Sequence, residues 1–224
     1  MQNIPDRLEV EYQRRFRHKE YYRNQVWKVL IDRFFSKYIP ENSAILDLGA
    51  GYCEFINNVT ATHKLAMDLN PEIKKRVMNN IELFHQDCSD HWNIQPESLD
   101  VVFTSNFFEH LPNKESLNRT VIEAFKSLKK EGIIICMGPN IKYLNGLYWD
   151  FWDHHIPLTD KSLVEILELN GFQIIVKIPK FLPYTMSETK SSPIWLIRVY
   201  LKCKIFWPIL GKQFLIIGKK RSNI

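Results

Sequence analysis

Apolar runs at 44–48, 64–68, 100–105 and 133–138 punctuate the chain, and between them apolar positions recur at helical spacing. Runs of this length read as buried strands, and the intervening periodicity reads as amphipathic helix. The predicted order is strand 44–48, helix 53–60, strand 64–68, helix 71–79 opened by Asn70-Pro71, and a short strand near 82–85. A loop over 86–98 follows, then strand 100–105, helix 115–129, the turn Lys130-Glu131-Gly132 and strand 133–138. Strands alternating with helices in this way imply a parallel sheet with helices on both faces.

Both flanks are patterned differently. Residues 6–38 mix charged with aromatic and aliphatic residues, with Tyr22, Val26, Val29, Leu30 and Phe34 at helical spacing, and predict one or two helices that stop at Pro40. Beyond Gly138-Pro139-Asn140 comes a loop over 141–157, then helix 161–170, capped by Thr159-Asp160 and stopped by Gly171. Phe172–Ile178 and Gln213–Ile217 read as strands, and 181–212 is longer than a hairpin needs. The expected organisation is a helical lid over 1–42 and an α/β domain over 43–224, with 181–212 inserted between its last two strands.

Chemistry first becomes legible at Ala44-Ile45-Leu46-Asp47-Leu48-Gly49-Ala50-Gly51. A strand ends in an acid, two glycines follow, and Glu54-Phe55 opens a helix, the arrangement in which a backbone loop approaches a nucleotide-like ligand. The second strand ends in Asp68, where a ribose diol would be held. A dinucleotide loop would carry a third glycine where Glu54 stands, and no lysine followed by serine or threonine forms a triphosphate cradle. An adenosyl ligand without phosphates fits better. S-adenosylmethionine is one, and its sulfonium and ammonium groups tolerate nearby acids.

From Ile45 to Ile135 the chain resembles the class I S-adenosylmethionine-dependent methyltransferases of the small type 11 kind. The resemblance rests on Ile-Leu-Asp-Leu-Gly-Ala-Gly (45–51), Met-Asp-Leu-Asn (67–70), Gln-Asp-Cys (86–88), Asp-Val-Val-Phe-Thr-Ser-Asn-Phe-Phe-Glu-His-Leu (100–111) and Leu-Lys-Lys-Glu-Gly-Ile-Ile-Ile (128–135). It implies a single-domain, doubly wound, mostly parallel seven-stranded sheet with helices on both faces and the last strand antiparallel. It also implies S-adenosylmethionine as cofactor. Asp47 would lie near the ammonium group, with Gly49 and Gly51 letting backbone come close. Asp68, with Leu69, would hold the ribose, Asp87 would accept from the adenine amino group, and the Cys88 backbone would face the ring edge. Ser105 and Asn106 would border the methionine part, and Phe107 or Phe108 would wall the adenosine. Cys53 departs from the family, many members of which have a third glycine there.

The acceptor half is less defined. Five aromatics within 143–155 beside acid and amide groups suit an apolar pocket with a few orienting contacts, or a surface loop folding inward. His110, His154 and His155 are the candidate bases, since imidazole titrates near neutrality. By resemblance, Glu109-His110-Leu111 caps the next helix and fixes its loop as readily as it acts in catalysis. Asp153-His154-His155 is not expected to bind metal, because adjacent histidines on a short loop rarely face one ion. Tyr21, Tyr22 and Arg23 are candidates to close over the cofactor's carboxylate, or form a solvated helix face.

Charge adds a partner question. The net +5 divides into +3 over residues 1–28, −6 over 29–179 and +8 over 180–224. A basic tail on an acidic body suggests an anionic partner. Residues 193–210 are strongly apolar, with Arg198 and Lys202 on one side, and suit a helix at a membrane interface, over a substrate pocket or at a homodimer contact. The run Arg14, Arg15, Arg17, Lys19 and Arg23 with interleaved aromatics would serve an RNA or protein methyltransferase, although nucleic acid lacks a recognisable binding module. A small-molecule acceptor, methylated on an oxygen of a saccharide, lipid-linked intermediate or secondary metabolite, is expected first. A non-catalytic, membrane-associated binder of the cofactor is the third reading. Four widely spaced cysteines and a polar opening segment lead to the expectation of a cytoplasmic protein, peripheral at most to a membrane's inner face.

Overall fold

A computed structural model describes residues 20–184 and 192–221. Seven strands form one sheet: β1 (Ala44–Leu48), β2 (His63–Met67), β3 (Glu82–Phe84), β4 (Leu99–Ser105), β5 (Leu128–Pro139), β6 (Phe172–Ile178) and β7 (Gln213–Lys220). Their order is β3-β2-β1-β4-β5-β7-β6. β7 runs antiparallel to both β5 and β6, whereas β1–β2, β2–β3 and β4–β5 are parallel. This is the Rossmann-like methyltransferase sheet expected from the resemblance. The chain divides into two compact units, one of residues 1–88 with 189–202, the other of 89–188 with 203–224.

In the first unit, Leu46 pairs with Leu65 and Leu48 with Met67, and all four are buried, as parallel strands covered on both faces require. Helix α1 (Glu20–Arg33) packs on α2 (Glu54–Asn58) and on α6 (Ile194–Lys202). Trp27 meets Phe55 edge-on at 5.6 Å, and Phe35 packs on both rings. Part of the expected N-terminal helix, residues 6–19, lies outside the described residues.

Two helices here are shorter than their periodicity predicts. The expected 53–60 helix closes at Asn58, because the Asn58 side-chain amide donates to the Glu54 carbonyl at 2.6 Å and Val59 turns extended. Lys64 then donates to the Ile56 and Val59 carbonyls at 3.0 and 3.4 Å, satisfying the end of the helix from inside the core. The expected 71–79 helix is a single turn, α3 (Ile73–Arg76). Asn57 ends it, donating to the Arg76 carbonyl and accepting from the Met78 amide. Asparagine side chains compete with the helical ladder in both places.

In the second unit, α4 (Lys114–Ser127) and α5 (Asp160–Leu169) follow the predicted spans to within a residue or two. Thr159 caps α5 as expected, with Ser162 completing a reciprocal box. Gly171, at φ 91°, ends the helix against the Phe125 ring. The expected turn at 130–132 lies inside a strand. Leu128 already pairs with Leu99 before the register jumps to Val101 opposite Ile133, so residues 129–132 form a wide bulge with Glu131 at φ 65°. A Cβ on Gly132 would come within 2.9 Å of the Lys129 carbonyl, which is why the bulge carries glycine there.

The 193–210 segment is not one helix. α6 ends at Lys202, a 3₁₀ turn follows at Lys204–Phe206, and α7 (Trp207–Leu210) carries Pro208 in its first turn. Among the described residues, no helix is long and apolar enough to cross a membrane.

Candidate active site

The glycine loop is built in the first unit from backbone that folds back on β2. The Gly49 and Ala50 amides donate to the Met67 carbonyl at 2.9 and 3.2 Å, and the Cys53 amide donates to the Ala50 carbonyl at 2.7 Å. Gly49, Gly51 and Cys53 take φ of 72°, 53° and 61°, three left-handed residues within five. For Cys53 this conformation costs on the order of 1–2 kcal/mol relative to glycine. It is also the physical reason a glycine suits that position.

Asp68 is the anchor of this loop. Its Oδ2 accepts from the Gly51 amide at 2.7 Å and its Oδ1 from the Asn70 amide at 2.7 Å. Asp47 is buried one strand over and accepts from the Ile56 amide in the first turn of α2, so it caps that helix. Its carboxyl is held well above the usual aspartate range, by burial first and then by the charges of Asp68 and Glu54. Burial likewise raises Asp68, against the hydrogen bonds from Asn70 and Gly51. Glu54 is also buried, and Arg23 of α1 reaches it at 2.7 Å. Tyr52 lies between two guanidinium groups, 5.5 Å from Arg23 and 4.2 Å from Arg76, and Arg76 pairs with Glu20. α1 is thus pinned to the glycine loop by charge. Tyr21 is exposed and Tyr22 half-buried.

Of the remaining candidates in this unit, Leu69 and Asp87 are half-buried and Cys88 is buried. The Leu69 carbonyl contacts His85 at 3.0 Å. In the second unit, Ser105 ends β4 and Asn106 follows at φ 49°. The Asn106 amide donates to the Met137 carbonyl at 2.8 Å, and its side-chain nitrogen donates to Ser105 Oγ at 3.0 Å. Its Oδ1 is buried with no hydrogen-bond partner among the described residues. Phe107 and Phe108 pack with ring centres 6.2 Å apart.

A second cluster lies wholly within the second unit. The 3₁₀ turn Phe108–His110 receives the 153–156 loop, because the Glu109 carbonyl accepts from the His155 and Ile156 amides at 2.8 and 3.2 Å. His110 and His154 then meet edge to face, with ring centres 4.9 Å apart. His110 Nδ1 lies 3.0 Å from Asp153 Oδ2, and His154 Nδ1 lies 2.8 Å from the Tyr148 carbonyl. Phe151 stacks on His154 at 5.0 Å, and Tyr148, fully buried, donates its hydroxyl to the Ile156 carbonyl.

Electrostatics in this cluster is set by burial. Glu109 is 2% exposed, and burial pushes its carboxyl up to about 7 against the pull of the His110 charge. Burial alone would lower His110, but the Asp153 hydrogen bond and the Glu109 and Asp153 charges outweigh it and leave it above the ordinary histidine value.

Two of the three predicted histidines therefore come together, and His155 does not join them. It is exposed and contributes its backbone amide. Through its carbonyl, Glu109 holds the 153–156 loop. The next helix, however, is capped by Asn113, which accepts from the Ser116 amide at 2.9 Å. The aromatic segment divides: Leu144, Tyr148 and Tyr184 form a small core with Phe151 against it, while Trp149 and Trp152 are exposed. Glu109 and Asp153 were visible in the sequence only as neighbours of histidines. The tie between Asp153 and His110 crosses 43 residues and carries no local signal.

A family model described as a methyltransferase domain matches residues 16–177, more than half of the chain. No curated protein matches the sequence significantly. Among solved structures, the chain is similar to a SAM-dependent methyltransferase from Archaeoglobus fulgidus, at 22% identity over 92% of this chain and 99% of that one, with a TM-score of 0.68. It is similar as well to a SAM-dependent methyltransferase from Thermotoga maritima, at 13% identity over 94% and 99%, TM-score 0.64. A third, from Methanosarcina mazei, shares 18% identity over 84% and 97%, TM-score 0.62. At such identities the likeness is one of fold.

Proposed function

The chain belongs to the class I S-adenosylmethionine-dependent methyltransferases, and from that premise we propose that it methylates an oxygen of a small-molecule acceptor: a saccharide, a lipid-linked intermediate or a secondary metabolite. The observation that carries the acceptor reading is the His110–His154 pair, set edge to face beside Phe151 and Tyr148. A hydroxyl must lose its proton as it is methylated, and groups that titrate near neutrality assist such a loss by about 10²–10⁴-fold. The aromatic wall favours an acceptor with an apolar face.

The residues present fit the cofactor. Asp47, Asp68 and Glu54 gather three carboxyls around the glycine loop, with burial raising each. A cationic ligand suits such a field and a phosphate would oppose it. In this reading Asp68 and Leu69 hold the ribose, Asp87 and the Cys88 backbone the adenine, and Asp47 the ammonium group. Gly49 and Gly51 admit the ligand close to backbone. The cofactor supplies an electrophilic methyl on sulfur, and the protein aligns donor and acceptor, an effect on the order of 7–11 kcal/mol.

Residues 1–42 act as the lid. The Arg23–Glu54 pair and the Tyr52 contacts support this, since they tether α1 to the glycine loop. We also propose peripheral attachment of a cytoplasmic enzyme to anionic membrane through 193–210. Trp195, Arg198, Val199 and Lys202 line one exposed face of α6, and Ile205, Ile209 and Leu210 are exposed beyond it. Sedimentation with anionic but not zwitterionic vesicles tests this. A homodimer in solution, with no vesicle binding, would replace it with the second-copy reading.

For the activity itself, radiolabelled S-adenosylmethionine is offered with hydroxylated saccharide, quinol and phenol acceptors, and the site of label is read by mass spectrometry. O-methyl product lost in His110→Gln and His154→Gln, with cofactor affinity unchanged, is the expected result. Label on nitrogen only, or turnover indifferent to both substitutions, refutes it.

A further inference from the structure

We propose that Glu109, His110 and His154 bind a divalent first-row transition-metal ion, with open positions left for the acceptor oxygen. This rests on the acceptor reading above and names how that cluster activates its substrate, with the imidazoles as ligands and the ion, in place of an imidazole base, assisting loss of the hydroxyl proton. One ligand-type atom from each of the three side chains lies within 4.8 Å of the other two. A tetrahedral ion held at about 2.0–2.1 Å needs donors roughly 3.3 Å apart, so closure asks only for small side-chain rotations. Two imidazoles and a carboxylate are donors that zinc, manganese, iron, cobalt and nickel accept, whereas magnesium and calcium prefer oxygen alone.

Three further observations point to a ligand. Both imidazoles engage Nδ1 elsewhere, His110 with the Asp153 carboxylate at 3.0 Å and His154 with the Tyr148 carbonyl at 2.8 Å. In metal-binding histidines a partner of this kind on the second ring nitrogen orients the ring and raises ligand basicity. Glu109 is a carboxylate 2% exposed, with Asp153 adding a second negative charge to its surroundings. Buried carboxylates in that position call for a cation. Finally, the three ligands stand on a preformed frame, since the Glu109 carbonyl already holds the His155 and Ile156 amides and Tyr148 is tied to Ile156. The set differs from the adjacent Asp153-His154-His155 trio: His155 is exposed, and Asp153 supports a ligand from behind.

With an acceptor hydroxyl on the ion, the O–H proton leaves to solvent. The oxygen lone pair forms the bond to the methyl carbon, and the carbon–sulfur bond breaks. The products are the O-methyl compound, the neutral thioether and one released proton.

The experiment uses the full-length protein, stripped with EDTA and titrated with Co²⁺, Zn²⁺ and Mn²⁺. Calorimetry follows binding, and visible absorption follows the cobalt ligand field. One equivalent should bind. Glu109→Gln and His154→Gln should each weaken it by at least about 100-fold, and Asp153→Asn by about 10–100-fold. S-adenosylmethionine affinity, measured in the same samples, shows that each variant is folded. Binding indifferent to Glu109→Gln and His154→Gln, or no binding up to millimolar metal, overturns the proposal. If stripped protein still methylates a hydroxyl in a His110-dependent way, the ion is refuted and the acceptor reading stands. If metal binds as described and no oxygen acceptor is methylated, the site stands and the acceptor reading falls.

Discussion

Replacing Asp47 with asparagine separates a ligand-binding charge from a structural acid. The wild-type side chain is buried, accepts from the Ile56 amide and has its pKa raised by burial and by Asp68 and Glu54. A carboxyl whose native pKa lies above its unfolded value binds protons more tightly when folded. The sign is therefore unfavourable: stability falls as pH rises from the unfolded pKa through the native one, by about 1.4 kcal/mol for each tenfold difference in proton affinity between the two states. Asparagine keeps an oxygen for Ile56 and removes the charge, so the ligand-free variant should melt no lower than wild type at pH 7.5. The expected gain is about 2–4 °C for each kcal/mol recovered. Affinity for cationic S-adenosylmethionine should drop instead, since a hydrogen bond to a charged group is worth about 1.5–3 kcal/mol, or about 10–150-fold in Kd. Scanning fluorimetry without ligand and calorimetry with it measure the two effects. A lower melting temperature with unchanged affinity would show that Asp47 serves only to cap α2.

Other substitutions test the frame. Cys53→Val forces a β-branched side chain into φ 61° in a fully buried site and should cost more than about 2 kcal/mol in urea unfolding, whereas Cys53→Gly should stay within about 1 kcal/mol of wild type. Lys64→Met removes the donor to the Ile56 and Val59 carbonyls and should lower stability by about 1–3 kcal/mol, with hydrogen exchange rising in α2. Asp160 accepts from Lys142 at 2.9 Å and Asn140 at 3.0 Å, and despite the opposing effect of burial these partners hold its pKa below the ordinary aspartate value. Its stabilisation is present above the unfolded pKa and lost as pH falls through the native one. Asp160→Asn should destabilise by about 1–3 kcal/mol at pH 7 and remove that acid-dependent loss.

The sequence by itself determined the order and type of the strands, because a strand buried on both faces needs an apolar centre, and Ile45–Leu46, Leu65–Met67 and Val101–Phe103 supply one. It also determined the glycine loop and its two acids, since left-handed backbone and a charged strand tip leave local signatures at Gly49, Gly51 and Asp68. Helix lengths were less legible. Asn57 and Lys64 end helices through bonds formed only once α3 and β2 are in place, while Asn58 bonds back onto its own helix. The 193–210 segment read as one apolar helix, yet the backbone leaves the helical conformation at Cys203, with φ −96° and ψ 75°. Tertiary structure alone decided which histidines share a site. His110 and His154 are brought together by the Glu109 carbonyl, a backbone group that no side-chain pattern announces, and the same contact leaves His155 outside.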